Sequence, residues 1–255
     1  MNGTIVTMES APFVQSGIGF KDIADFGIIV ESYRLLEHLF RGDHQFKVLS
    51  SYHLDYDWYL LAHSSLRVVV AVSQGAPMAV DLAERYAASG VRTIVRIGTT
   101  GALKAGMKLG GFVLPWAAIR DEGTSRFYID SRTPAIADIA LTQRLTRQLA
   151  AAGADVYNGI AWSTDGRWRE TDAAVAQCVA DGAIAADMES SALFAFGQFR
   201  GVSVASVSIL SDEIDSTSGD AHKGLSDQGV WFDQVLPAAT FAFSQLLEQF
   251  STTGR

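Results

Sequence analysis

The chain has 255 residues, 48% of them apolar and 19% charged, a composition that buries a sizeable core and excludes a disordered polypeptide. Its formal net charge of −8 argues against nucleic acid as a partner, since no basic stripe is there to neutralise phosphates, although one or two local arginines can hold a small anion. The single cysteine, Cys178, makes no intramolecular disulfide, and the five histidines (His38, His44, His53, His63, His222) stand at no metal-ligand spacing, so no metal is expected. The opening MNGTIVTMESAPF has neither a basic nor a long apolar signal region, and no run reaches the roughly 18–20 apolar residues that span a bilayer. A cytoplasmic protein without membrane contact is expected.

In chain order, short β-rich runs alternate with helical patterns. FGIIV (26–30) leads into SYRLLEHLF (32–40), where Leu35, Leu36, Leu39 and Phe40 keep helical spacing. LRVVVAVS (66–73) runs into PMAVDLAERYAASG (77–90), with Pro77 at a helix start and Gly90 at its end. RTIVRIG (92–98) and GGFVLPWAAI (110–119) read as strands, PAIADIALTQRLTRQLAAAG as a helix, ADVYNGIAWS as a strand and TDAAVAQCVADG as a helix. AIAADM is a strand before the helix SSALFAFGQFRG, VSVASVSIL is another strand, and a last helix falls within 228–249. With no internal repeat or Pro/Ser linker, one α/β domain over residues 1–255 is predicted, with a buried, mainly parallel or mixed sheet. Ligands of such sheets sit at the carboxyl ends of strands, which directs attention to three places.

The first is RIGTTGAL (96–103), where Gly98-Thr99-Thr100-Gly101 follows a strand carrying Arg96. Glycines let backbone N–H groups approach an anion, hydroxyls donate, and a guanidinium adds charge; the same residues also suit a tight turn. The second is AIAADMESSALFAF (183–196), which sets Asp187 and Glu189 into the most apolar junction of the chain. Carboxylates accept hydrogen bonds only and suit sugar hydroxyls, while the thioether of Met188 suits the apolar face of a ring. Alternatively, Asp187 caps the helix from Ser190 and Glu189 lies in its first turn. The third is SILSDEID (208–215), where Ser211-Asp212 offers a hydroxyl and a proton-carrying acid, or simply a turn.

Taken together, VRTIVRIGTTGAL, GGFVLPWAAIRDEGTSRFY, AADMESSALF and SILSD resemble, in order and spacing, the nucleoside phosphorylase family with its purine, uridine and nucleosidase branches. The resemblance spans about residues 65–213, with STDGRWRET (163–171) matching a further family segment. It implies a three-layer α/β/α fold around a central mixed sheet. It also implies ribose binding by Met188, Glu189 and Thr99, phosphate binding by Arg96, Gly98 and Thr99, and base binding by Ser211, Asp212 and Trp168. Asp212 would be the catalytic acid towards a purine. The implied reaction is phosphorolysis of a purine nucleoside, with inorganic phosphate as co-substrate, no other cofactor, and a homo-oligomer, dimer or hexamer. A hydrolytic nucleosidase, a uridine phosphorylase and a non-catalytic nucleoside binder are the alternatives.

The chain also departs from the family pattern. Glu31-Ser32-Tyr33 stands where members carry Gly-Asp-Pro, and Arg34 is one place from the expected arginine. His53 aligns with an arginine that members lend to a neighbouring subunit, PFVQSGIGF lacks the N-terminal histidine, and Lys223 is the nearest base to a further arginine. The anion site is therefore expected to be thin, with Glu31 repelling an anion if it points inward.

Overall fold

The computed structural model describes residues 24–41, 46–53, 57–214 and 228–252; the N-terminal PFVQSGIGF and Lys223 lie outside them. The strands are β1 (Phe26–Val30), β2 (Lys47–His53), β3 (Asp57–His63), β4 (Leu66–Val72), β5 (Thr93–Ala102) and β6 (Phe112–Val113). They continue with β7 (Ala117–Asp121), β8 (Ala135–Ile136), β9 (Val156–Tyr157), β10 (Ile160–Thr164), β11 (Ala183–Asp187) and β12 (Ser203–Glu213). The longer helices among the described residues are α1 (Tyr33–Arg41), α2 (Ala76–Ala88), α3 (Ile139–Ala151), α4 (Asp172–Ala180), α5 (Ser190–Arg200) and α6 (Leu236–Thr252).

All strands among the described residues belong to one 12-stranded mixed sheet, ordered β2-β3-β4-β1-β5-β11-β10-β7-β8, with β12 beside β5 and extending to β6 and β9. Its central strands are apolar on both faces because each face carries helices. Phe26, Ile28 and Val30 of β1, with Val95 and Ile97 of β5, pack against α1, α3 and α6. Ile29 and Ile94 point the other way, against α2 and α5. This period-two division makes the near-continuous apolar runs of β1, β4 and β5 intelligible, and it is the expected α/β/α layering.

Several elements differ from the sequence expectation. Gly98–Gly101 is not a turn: β5 continues to Ala102, held along its length by parallel β12 from Ser203↔Thr93 to Glu213↔Ala102. The run 110–119 breaks into β6 and β7 around Pro115, which has no N–H to offer a ladder. Residues 154–163 break at Asn158-Gly159, where the Asn158 amide donates to Leu114 O at 2.7 Å. The helix expected from Pro134 starts only at Ile139, capped by Asp138, whose side chain accepts from Leu141 N at 2.8 Å. The antiparallel strands β2 and β3, absent from the sequence reading, extend the sheet beyond β4.

The topology makes an opening where it matters. β1 pairs with β5 only at residues 94–97, and β11 pairs with the same strand only at Gly101 and Ala102. With β12 on the opposite edge, the backbone around Thr99 is left without a strand partner on the β1/β11 side. This is a switch point, the place where open α/β sheets take ligands.

Candidate active site

The opening is closed by a side chain. Glu31 follows β1 directly, and its N–H donates to Ile97 O at 3.0 Å, fixing the backbone beside β5. Its carboxyl turns inward: Oε2 accepts from Thr99 N at 2.5 Å and from Arg96 Nη2 at 2.9 Å, while Oε1 accepts from Thr99 Oγ1 at 2.8 Å. Arg96 is 1% exposed. Its Nη2 also donates to Glu189 Oε2 at 2.6 Å, and Nη1 donates to Ser208 Oγ at 3.1 Å and Ser206 Oγ at 3.4 Å. Both serines lie on β12 in register with Arg96 and Gly98, so strand pairing alone brings them to the guanidinium.

Gly98 acts differently from expectation. A Cβ there would lie 2.4 Å from the guanidinium carbon of Arg96, so the glycine leaves room for that side chain to fold back along its own strand. Gly98 is not among the groups lining the cleft; the anion-facing N–H belongs to Thr99.

The paired acids of the AADMES stretch divide their work. Asp187 serves the fold: Oδ1 accepts from Ser163 Oγ at 2.5 Å, Ser190 N at 3.2 Å and Glu189 N at 3.3 Å, and Oδ2 accepts from Ser190 Oγ. It thereby holds the N-terminus of α5, close to the capping reading of the sequence, although the N-cap position itself is Glu189, which lies outside the first turn. Glu189 leaves the helix face entirely, accepting from Gly75 N at 2.6 Å and from Arg96. Gly75 precedes α2 with φ 84°, a left-handed conformation that glycine adopts without strain and that aims this N–H at the site.

Charge in the cluster is uneven. Burial opposes the positive charge of Arg96, but Glu189, Asp187 and Glu31 outweigh it and raise its pKa, so the guanidinium stays protonated. Burial pushes the Glu189 carboxyl from its ordinary 4.5 up to about 7, with Arg96 and the Gly75 N–H pulling it down and Glu31 and Asp187 pushing it further up.

At the other end, a bulge in β12 between Leu210 and Asp212 places two consecutive residues against β5. Ser211 and Asp212 are both buried, and Ser211 Oγ donates to Asp212 Oδ1 at 2.6 Å. A cleft joins these ends; its lining includes Glu31, Arg96, Thr99, Met188, Glu189 and Asp212. Arg167, Glu170 and Ser211 border it as well. The structure therefore brings together all but two of the sequence-predicted site residues. Gly98 stands behind Arg96, and Trp168 is 77% exposed in an adjoining cleft that it shares with Met188. The short 3-10 turn Arg167–Arg169 sets Arg167 at the border of both clefts, its guanidinium 5.3 Å from the centre of the Trp168 ring.

Sequence reasoning missed Gly75, Ser206, Ser208 and Arg167. Ser206 and Ser208 carried a readable signal, two hydroxyls at period two within the apolar stretch from Val204 to Leu210. The inward course of Glu31 was named only as a condition. Arg34, one place from the expected arginine, lies instead over the ring of Trp231, 5.1 Å from its centre.

The arrangement combines a buried guanidinium shared by Glu31 and Glu189, the half-buried thioether of Met188, and a buried Ser211-Asp212 pair along one cleft. Comparison with known proteins gives the family of the chain. The family model described as the phosphorylase superfamily matches residues 26–250. A uridine phosphorylase from Thermococcus kodakarensis is 36% identical over 97 residues, covering 38% of this chain and 35% of its own length. A guanosine phosphorylase from Halorubrum lacusprofundi is 30% identical over 128 residues, covering 50% of this chain and 53% of its own length. These alignments span only about a third to a half of either relative. Among solved structures, uridine phosphorylase from Vibrio fischeri in complex with 6-hydroxy-1-naphthoic acid superposes with a TM-score of 0.77 at 22% identity, covering 92% of this chain and 94% of the other. That likeness establishes the fold.

Proposed function

The chain belongs to the phosphorylase superfamily, and we propose that it is a pentosyltransferase that cleaves a nucleoside with inorganic phosphate, giving free base and a pentose 1-phosphate. The observation that carries this reading is the convergence of Arg96, Thr99, Glu189 and Asp212 on one cleft at the switch point of the sheet. Glu189 accepts hydrogen bonds from sugar hydroxyls, and the half-buried Met188 covers the apolar face of the ring. As the C1′–N bond lengthens, the base leaves with the bonding electron pair and C1′ gains positive charge. A phosphate oxygen held by Arg96 and Thr99 forms the new bond to C1′, its charge stabilising the developing cation.

We favour uridine as the substrate. The Thermococcus relative carries that name, and the guanidinium of Arg167 supplies donors to a pyrimidine carbonyl at the cleft edge. The purine reading expected from the sequence rests on Asp212, buried and hydrogen-bonded to Ser211 where it can hand a proton to a departing ring nitrogen; it stands second. Hydrolysis draws no support from the named relatives, which are phosphorylases.

The test is product analysis with uridine, inosine, guanosine and adenosine, with and without phosphate. Pentose 1-phosphate formed only with phosphate, and fastest from uridine, is the expected result. Free pentose at equal rates in both conditions would replace phosphorolysis by hydrolysis. Binding without any product would leave a nucleoside-binding protein.

A further inference from the structure

Resting on the phosphorolytic reading of the cleft, we infer that Glu31 is an internal competitor for the phosphate subsite, and that its withdrawal towards Ser73 sets how tightly the acceptor binds. The two oxygens of Glu31 take the donors that the anion end offers: Thr99 N, Thr99 Oγ1 and Arg96 Nη2, at 2.5, 2.8 and 2.9 Å. An edge of a phosphate presents the same two-oxygen fork to the same donors. Both anions cannot occupy them at once. Charge points the same way, because Glu31, Asp187 and Glu189 already surround Arg96, and phosphate beside an inward Glu31 would add a fourth acidic group to a single guanidinium.

The withdrawn side chain has a place to go. Glu31 also borders a second cleft, together with Ser32, Tyr33, Ser73, Gln74 and Met78. Ser73 is 4% exposed, and its Oγ has no hydrogen-bond partner among the described residues. Its own N–H donates to Val30 O at 2.9 Å, which holds it beside the end of β1 and next to Glu31 in space. A buried hydroxyl left without a partner is costly, and a carboxylate turning out of the anion site supplies the acceptor it lacks. Backbone hydrogen bonds at Glu31 N and Ser73 N remain intact, so the exchange needs only side-chain rotation. Phosphate then binds only the fraction of molecules whose Glu31 is withdrawn, and its apparent affinity falls by that fraction.

Phosphate binding is measured directly, by calorimetry or equilibrium dialysis with inorganic phosphate and no nucleoside. Circular dichroism and melting curves establish that each variant is folded. Glu31→Gln and Glu31→Ala are expected to bind phosphate on the order of tenfold more tightly or better than the unmodified chain. Ser73→Ala, which removes the withdrawn partner, is expected to weaken phosphate binding in the unmodified chain and to have no effect in the Glu31→Ala background. Folded Glu31 variants that bind phosphate no more tightly, or less tightly, would overturn the inference and make Glu31 part of the acceptor site itself. The outcome is separable from the proposed activity. Tighter phosphate binding without nucleoside cleavage would sustain this role and end the phosphorylase reading, and phosphate-dependent cleavage without the gain would do the reverse.

Discussion

The two ends of the cleft bury polar groups in opposite ways. At the Arg96 end, the guanidinium holds Glu31 and Glu189 by contacts of 2.9 and 2.6 Å, so the buried charges neutralise one another. At the base end, Ser211 and Asp212 are placed by a bulge in β12, and the strand ladder carries the architecture whatever their side chains do. Changes at the first end should therefore alter stability and activity together, whereas changes at the second should alter activity alone.

The largest effect is expected from Arg96→Met. It leaves Glu31, Asp187 and Glu189 without their shared cation in a buried site and should cost about 3–5 kcal/mol in urea unfolding, enough to endanger folding. A loss under 1 kcal/mol, roughly what a surface ion pair is worth, would show that the Arg96 end does not hold the fold.

Glu189→Gln comes next. It keeps the shape of the site but removes the charged acceptor, and cleavage should fall by about 100-fold or more while the protein stays folded. The same variant tests the proton balance. The folded carboxyl titrates at about 7 against an ordinary 4.5, so the folded state retains a proton that the unfolded chain has already released. The stability that this group contributes is complete below about pH 4.5 and is lost as pH rises through about 7. Denaturant midpoints across that window should decline in the unmodified chain and flatten in the variant.

Asp212→Asn should lower kcat by about 100-fold with a purine nucleoside and less with uridine, with stability within about 1 kcal/mol. An equal loss on both would give Asp212 a part in sugar or base positioning common to the two. Trp168→Ala, at an exposed rim, should change stability by no more than about 0.5 kcal/mol and should leave turnover near its starting value.

Much of this was legible because strand chemistry is local. The apolar runs at 26–30, 66–72 and 93–97 announce a buried sheet, and Glu189 and Asp212 stand at or just past strand ends as read, whereas Arg96 and Thr99 lie inside β5. What escaped depends on pairing between distant segments. The Gly-Thr-Thr-Gly stretch reads as a turn on its own and becomes strand only because β12 accompanies it to Ala102. The hairpin of β2 and β3 mixes Ser, Tyr, His and Asp into its apolar pattern, since β2 is the edge strand of the sheet and both strands are partly exposed. Glu31 was visible as a departure, but its partners are 65 and 68 positions away, and no local pattern reports which way such a side chain turns.

The most direct test compares base release from uridine and inosine at saturating phosphate by the unmodified chain and by folded Glu189→Gln. Phosphate-dependent release by the unmodified chain, lost in the variant, is the predicted result. Undiminished release by the variant would contradict it, because the cleft around Arg96 and Glu189 would then not be where the glycosidic bond is broken.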